Sequence, residues 1–315
     1  MSAYEFQIIP ALILDWLIGD PENRAHPVRL MGNMALVFES WTRRAISSPT
    51  MAGIATVVLL LGTVLIITSL VTKLAYGLSG IIGFIVSVII IYTGIATRDL
   101  YDHAMRVCEA LEQDDLLEAR RRVGMICGRD TANMDRESVI KAAVESVAEN
   151  LVDGVTAPLF YAFIGGPVAV MLYKGVSTLD SMFGYRNERY VFFGWASARL
   201  DDLAAYIPAR LTAITVPLAS IVTGLNYSNS LKIFLRDRSR HPSPNAGQTE
   251  SAFAGALGIR LGGPSTYNGV VHKKEYLGDS LEALSPEHIR YSLRLMIFAS
   301  LIFCGLMLFL KHIVF

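Results

Sequence analysis

The chain is poor in charge. Charged residues fill 18% of its 315 positions and the formal net charge is zero, whereas soluble domains average roughly 25% charged residues. A zero balance argues against a broad nucleic-acid footprint, so no nucleic-acid partner is expected. Cysteine is scarce as well. Cys108, Cys127 and Cys304 form neither an even disulfide framework nor a metal-ligand spacing, and Cys108 and Cys127 read as reduced thiols. There is no GxxxxGK[ST], which excludes a P-loop, and no HExxH or GxSxG. No basic n-region precedes the first apolar stretch and no small-residue cleavage site follows it, so a cleaved signal peptide is not expected. Internal repeats and low-complexity linkers are also lacking.

What is abundant is apolar sequence: 52% of residues are hydrophobic and the mean hydropathy is +0.42. Ala45 to Thr72 and Leu74 to Thr97 contain no charged residue, and each exceeds the ~20 residues that cross the hydrocarbon core. They predict a transmembrane hairpin with its turn at Lys73. Leu295 to Leu310 predicts a C-terminal span. Tyr4 to Gly19 is shorter and carries Asp15. Val155 to Tyr173 holds Pro158, Gly165, Gly166 and Pro167, and Leu203 to Leu225 holds Pro208, Arg210 and Pro217. Such segments fit spans, broken helices or re-entrant hairpins, provided that protein covers the freed backbone. The expected fold is an all-α integral membrane protein with about four to six membrane segments, some of them re-entrant, plus cytoplasmic amphipathic helices and ordered loops. One membrane-embedded domain is expected over 1–315: the hairpin at 51–97, a helical region at 98–153, motif-rich loops at 174–202 and 236–269, and the span at 295–310.

Basic residues set the orientation. Arg24, Arg29, Arg43 and Arg44 place their loop in the cytoplasm, the Lys73 turn outside, and 98–153 back in the cytoplasm. If 155–173 and 203–225 both cross, Lys174, Arg186, Arg189 and Arg199 lie outside, against the bias. If both dip in and return, all polar loops share one side, and that arrangement is the one expected.

Asp135 to Tyr161 is the stretch that organises the rest. Val139, Ile140, Ala143, Val144, Val147, Leu151 and Val152 recur at helical spacing and form one face. Glu145 and Glu149 stand one turn apart on another. Asp153 follows a further turn on, before Gly154 and Pro158 break the pattern. Acid where a polar helix meets a membrane suits a cation or a charged substrate; the plainer alternative is a Lys141–Glu145 pair and a solvated Glu149. Upstream, Leu100, Val107, Leu111, Leu116, Leu117 and Val123 give 98–129 a helical stripe. Arg120, Arg121 and Arg122 suit phosphates or lipid head groups, although such runs are more often solvated.

Polar clusters punctuate the remainder. Asp20 is followed by His26, Pro27 and Arg29 on a stiff loop that suits an anion. Arg129-Asp130-Thr131 reads as a helix cap. Residues 179–190 gather Asp180, Tyr185, Arg186, Asn187, Arg189 and Tyr190, a set that suits phosphate or an amide-rich ligand. Arg199, Asp201 and Asp202 stand at the start of a membrane segment, where acid is costly unless it binds something. His241, Ser243 and Asn245 are presented by a proline-fixed loop ahead of Glu250. Glycines at 262, 263 and 269 permit close backbone approach.

GDPENRAHPVRLMG at 19–32, VESVAENLVDGVTAPLFY at 144–161, TLDSMFGYRNERY at 178–190, FGWASARLDDLAAYIPARL at 193–211 and RHPSPNAGQTESAFAGALGIRLGGPSTYNG at 240–269 resemble, in the same order, the CobD/CbiB family of adenosylcobinamide-phosphate synthases. The resemblance runs from about Leu14 to Gly269. Two departures stand out: Ser177 takes the place of an asparagine, and Gln248-Thr249 replaces an aromatic–proline pair.

The resemblance implies a multi-pass ligase of the cell membrane with its active face in the cytoplasm. It would join the propionate carboxylate of adenosylcobyric acid to (R)-1-aminopropan-2-yl phosphate or a related amino-alcohol phosphate, giving adenosylcobinamide phosphate. ATP and Mg²⁺ are implied, because amide formation needs an activated acyl group such as an acyl phosphate. Other cobalamin-pathway enzymes are possible partners beside the bilayer. In this reading Glu145, Glu149, Asp153, Asp201 and Asp202 take the metal and catalytic roles, and Arg29, Arg186, Arg189 and Arg199 clamp phosphates. His26 or His241 serves as a base or a hydrogen-bond partner, and Asp180, Tyr185, Asn187, Ser243 and Asn245 contact substrate. Two other classes fit parts of the pattern: an AmpE-like membrane sensor without chemistry, and a Mg²⁺-dependent transferase acting on lipid-linked phosphates.

Overall fold

The structure, a computed structural model, describes residues 4–20, 26–185, 187–267 and 269–314; Arg24, Arg186 and Asn268 lie outside that set. The chain is 74% helical and forms two compact units.

The first unit contains residues 4–96 and 157–205. Its helices are α1 (Glu5–Ile18), α2 (Pro27–Ala45), α3 (Pro49–Leu78), α4 (Gly80–Tyr92), α8 (Ala157–Phe183) and α9 (Trp195–Ala204). The hairpin forms as expected, but its turn lies at Ser79, not Lys73, which sits inside α3. The reason is capping. Ser79 is extended and its side chain accepts from Ile82 N at 3.1 Å, which starts α4, whereas one lysine carries no turn geometry. Met51, Val58, Leu65, Ile66 and Leu70 of α3 point outward uncovered, a surface that lipid solvates and water does not. α8 packs against α3, α4 and α2. It breaks at Gly165 and Gly166, where φ reaches +60° at Gly166; a broken helix is one of the three forms open to 155–173. Asp201 and Asp202 lie on α9, which ends before α10 begins at Tyr206. They therefore do not stand on the membrane segment itself.

The second unit contains residues 97–156 and 206–314. It comprises α5 (Thr97–Glu112), α6 (Leu116–Val123), α7 (Arg136–Asn150), a π-helical turn (Leu151–Thr156), α10 (Tyr206–Thr223), α11 (Tyr227–Asp237), α12 (Ala246–Leu257) and α13 (Glu287–Val314). Two short antiparallel ribbons pair β1 (Leu261–Gly262) with β4 (Tyr276–Leu277) and β2 (Ser265–Tyr267) with β3 (Val270–His272). α12 is packed by α7, α10, α11 and α13, and every one of its residues is buried. The apolar face expected of α7 is buried, and so are Ala142, Glu145, Ser146 and Ala148, so α7 is covered nearly all round. Asp135 caps it by accepting from Ser138 N at 2.8 Å. Arg129-Asp130-Thr131 is therefore not its cap. In the π-helical turn, Thr156 Oγ1 donates to Leu151 O at 3.0 Å, five residues back, and meets Thr212 Oγ1 of α10 at 2.6 Å. Such turns are rare and concentrate at functional sites. Leu117 of the expected α5–α6 stripe is exposed. Arg121 and Arg122 close on Glu118 of their own helix, so neither is free for a head group.

Five stretches among the described residues are long and apolar enough to cross a membrane: Pro49–Leu78, Gly80–Glu112, Arg136–Phe183, Tyr206–Thr223 and Glu287–Lys311. The protein is an all-α, multi-pass membrane protein.

Close backbone approach in the first unit is testable at Gly53 of α3, where an added Cβ would stand 1.9 Å from the Phe193 carbonyl oxygen. Gly53→Ala is expected to cost about 1–3 kcal/mol and to lower the thermal midpoint of the detergent-solubilised protein. The same change at Gly62, where nothing lies within 4 Å, should leave it unmoved.

Candidate active site

In the second unit, four separate motifs converge on Glu145. Its side chain is only 3% exposed, and both carboxylate oxygens are engaged. Oε2 pairs with the Arg129 guanidinium, and Oε1 accepts from Gly262 N of β1 at 2.6 Å. Lys141, one turn before, is not the partner that i,i+4 spacing suggests. Arg129 also hydrogen-bonds Tyr267, and Tyr267 OH accepts from Lys274 Nζ at 3.1 Å. Next to it, Asp130 accepts from Gly269 N at 2.7 Å and donates its own N–H to Thr266 O at 2.9 Å. The 129–131 segment thus binds the second ribbon to the start of α7.

Glu250 of α12 and His241 complete the cluster. Glu250 is 3% exposed and its Oε1 lies 3.8 Å from His241 Nε2. The proline-flanked loop fixes the imidazole. Ser243 N donates to His241 Nδ1 at 3.0 Å, which leaves the ring proton on Nε2, facing Glu250. Ser243 Oγ in turn accepts from Asn245 N and Ala246 N at 3.3 and 3.2 Å and so starts α12. Asn245 is buried and its Oδ1 accepts from Arg210 at 3.4 Å. Burial pushes the His241 imidazole down to about 4, with the positive charge of Lys274 adding to the shift. Burial, then the charges of Glu145 and Glu149, hold the Glu250 carboxyl well above the usual carboxylate range, against the pull of Lys274 and Arg129. The pair is therefore a neutral imidazole beside a carboxyl with raised proton affinity.

Glu149 lies within electrostatic range of Lys274, Arg129 and Glu145, yet it is solvent-accessible. Among the described residues it makes no hydrogen bond, so its carboxylate is available to a ligand. Asp153 falls in the π-helical turn and is half-buried. Beside the cluster opens a cavity of about 580 Å³, and Arg129 and Gly262 border both.

The remaining expected site residues belong to the first unit. His26 Nε2 meets Asp20 Oδ1 at 2.9 Å, and Arg29, on the first turn of α2, is exposed. Asp180 sits near the end of α8, and Tyr185 and Asn187 follow it, both exposed. Asn187 Oδ1 accepts from Tyr190 N at 3.0 Å. Arg189 donates to Glu39 at 3.2 Å; the buried Glu39 also holds Arg43 at 2.9 Å. Arg189 is thereby committed to an ion pair before any phosphate arrives. Arg199 is exposed on α9, with Asp201 and Asp202 half-buried beside it. Among the described residues no three His, Cys, Asp or Glu side chains gather closely enough to hold a metal ion by themselves.

Residues 8–296 match the family described as CobD/Cbib protein. The chain belongs to the CobD/CbiB family. It is 46% identical over 292 residues to a protein of Leptospira interrogans, 93% of each chain being covered. It is 44% identical over 286 residues to a protein of Pelobacter propionicus, covering 91% of this chain and 88% of that one. A Klebsiella pneumoniae protein is 41% identical over 293 residues, with 92% of each chain covered. All three carry the name cobalamin biosynthesis protein CobD. No solved structure matches.

Sequence reasoning placed Glu145, Glu149 and His241 but left out Arg129, Lys274, Tyr267 and the acidic role of Glu250. Nothing in local spacing marks Arg129 as the partner of Glu145, 16 residues away.

Removing Arg129 strands a buried carboxylate, which typically costs about 3–5 kcal/mol. Arg129→Leu should destabilise the protein by that order, and adding Glu145→Leu should recover at least half of the loss in a double-mutant cycle of unfolding. The His241 imidazole titrates near 4 when folded and 6.5 when free. Between those values the unfolded chain binds the extra proton, so stability falls as pH drops through the window. His241→Gln should flatten the pH dependence of the thermal midpoint there.

Proposed function

We propose that this protein is a membrane-bound amide synthase of cobalamin biosynthesis. It would join adenosylcobyric acid to (R)-1-aminopropan-2-yl phosphate, or a related amino-alcohol phosphate, with consumption of ATP in the presence of Mg²⁺. The observation that carries this is the convergence of Glu145, Glu149, Glu250, Arg129, Lys274 and His241 in one cluster, in a chain whose relatives are named for cobalamin biosynthesis.

The donor set suits the chemistry. Hard carboxylate oxygens are the ligands Mg²⁺ takes, one or two at a time alongside substrate phosphates. Glu145 is spent on Arg129 and Gly262, so in this unit Glu149 would hold the ion, with Asp153 as a second candidate and Asp201 and Asp202 of the first unit as further ones. When bound, Mg²⁺ would neutralise phosphate charge while the carboxylate is activated. Arg129 and Lys274 supply fixed positive charge for the anionic groups. His241 presents Nε2–H as a hydrogen-bond donor, which favours the partner role over the base role expected from sequence. Glu250 suits the base: a carboxyl with raised proton affinity can take a proton from a substrate ammonium more readily than an ordinary one. The basic residues of α2 and of 98–129 favour a cytoplasmic active face in the cell membrane.

Complementation tests the reading. A strain blocked between cobyric acid and cobinamide phosphate should be rescued by this protein. It should not be rescued by Glu149→Gln, Glu250→Gln or Asp201→Ala variants that reach the membrane at normal levels. No rescue by the unaltered protein would overturn the proposal, and full rescue by Glu149→Gln would overturn the metal assignment.

A further inference from the structure

The cavity beside the cluster is lined by side chains that the proposed chemistry does not use. Lys141 projects into it from α7, six residues after the capping Asp135, and Asn133 lines it from the preceding loop. Ser265 of β2 lines it as well. The Ser265 hydroxyl is buried, at 6% exposure for the residue, and finds no hydrogen-bond partner among the described residues. A buried hydroxyl left unpaired costs free energy unless something in the cavity satisfies it. Lys141 lies within electrostatic range of Asp135 but makes no hydrogen bond or close ion pair with a described residue, whereas Arg129 and Asp130 are both engaged.

We propose that this cavity is the binding site for the phosphate of a small phosphorylated amine, with Lys141 and Ser265 as its donors. An ammonium, a hydroxyl and the Asn133 amide facing one space offer donors where an oxyanion offers acceptors. The charge on the lining narrows the class. Arg129 is neutralised by Glu145; the other charges on the lining are Lys141 and Asp130, the latter held by Gly269 N–H, and Asp135 lies within electrostatic range of Lys141. A polyanion such as a nucleotide triphosphate gains little from a lining with balanced charge. An aminoalkyl phosphomonoester, which carries both signs, is complementary to it. Arg129 and Gly262 border both the cavity and the Glu145 cluster, so the amine end of a short ligand anchored by its phosphate is directed toward Glu149 and Glu250. The identity of the amine rests on the proposed function; the phosphate site itself does not.

Titration calorimetry on the full chain in lipid nanodiscs tests this. The probes are (R)-1-aminopropan-2-yl phosphate, its unphosphorylated alcohol, and the nucleotide analogue AMP-PNP. Loss of a charge-assisted hydrogen bond corresponds to roughly a tenfold or greater loss of affinity. Lys141→Met should raise the Kd of the phosphorylated amine by that factor and Ser265→Ala by several-fold. Neither should change the binding of AMP-PNP or of the alcohol. Ser265→Ala removes one oxygen and keeps the fold, so it stands as the check if Lys141→Met fails to fold. Unchanged affinity for the phosphorylated amine in the variants, no binding of it by the unaltered protein, or an equal loss of AMP-PNP binding would each overturn the site. Unaltered protein that binds the phosphorylated amine but forms no amide with adenosylcobyric acid would instead sink the proposed function and leave this site standing.

Discussion

The ion pair between Arg129 and Glu145 is the contact on which the second unit depends. Glu145 sits on a helix covered nearly all round, where an unpaired carboxylate would be prohibitively costly. Arg129 and the Gly262 N–H satisfy it together. That arrangement ties three distant pieces of chain to α7: the segment before its cap, the glycine-rich ribbon, and through Tyr267 the Lys274 loop. A buried pair of this kind adds little net stability over an apolar replacement. What it adds here is placement, because it holds two cations and a third acidic group within reach of Glu149 and Glu250.

The same constraint explains the electrostatics. Burial and two neighbouring carboxylates oppose the ionisation of Glu250, which yields by keeping its proton to higher pH. His241 yields in the opposite direction and stays neutral. Its ring is fixed by a backbone N–H that the two prolines around Ser243 hold in position. In the proposed condensation Glu250, once ionised, would take the proton that the amine must lose. The apolar helices suit the bilayer, and the proposed chemistry would rest on polar groups from α7, α12 and the loops that flank them.

Much of this was legible in the sequence. Uninterrupted apolar runs announced α3, α4 and α13, because hydrocarbon-length segments have few other uses. The glycine pair at 165–166 announced the break in α8, since only glycine takes φ of +60° without strain. The long ordered motifs identified the family. What was not legible depended on tertiary pairing. The ends of the hairpin turn were set by Ser79 as a cap and not by charge. Lys141 looked like the partner of Glu145 because helical spacing is visible in one dimension and the 16-residue reach to Arg129 is not. The β-ribbons were hidden because two- and three-residue strands leave no alternation to read. Their glycines signalled close backbone approach to a ligand, and the group that Gly262 N–H meets is the Glu145 carboxylate.

In the proposed reaction this cluster joins a carboxylate to an amine. Mass spectrometry of the products formed by the purified protein with adenosylcobyric acid, ATP, Mg²⁺ and (R)-1-aminopropan-2-yl phosphate tests it most directly. A corrinoid heavier by the amino-alcohol phosphate less one water is expected, formed only when ATP is present. Recovery of unaltered adenosylcobyric acid from a folded, membrane-reconstituted protein given each candidate amine would contradict it.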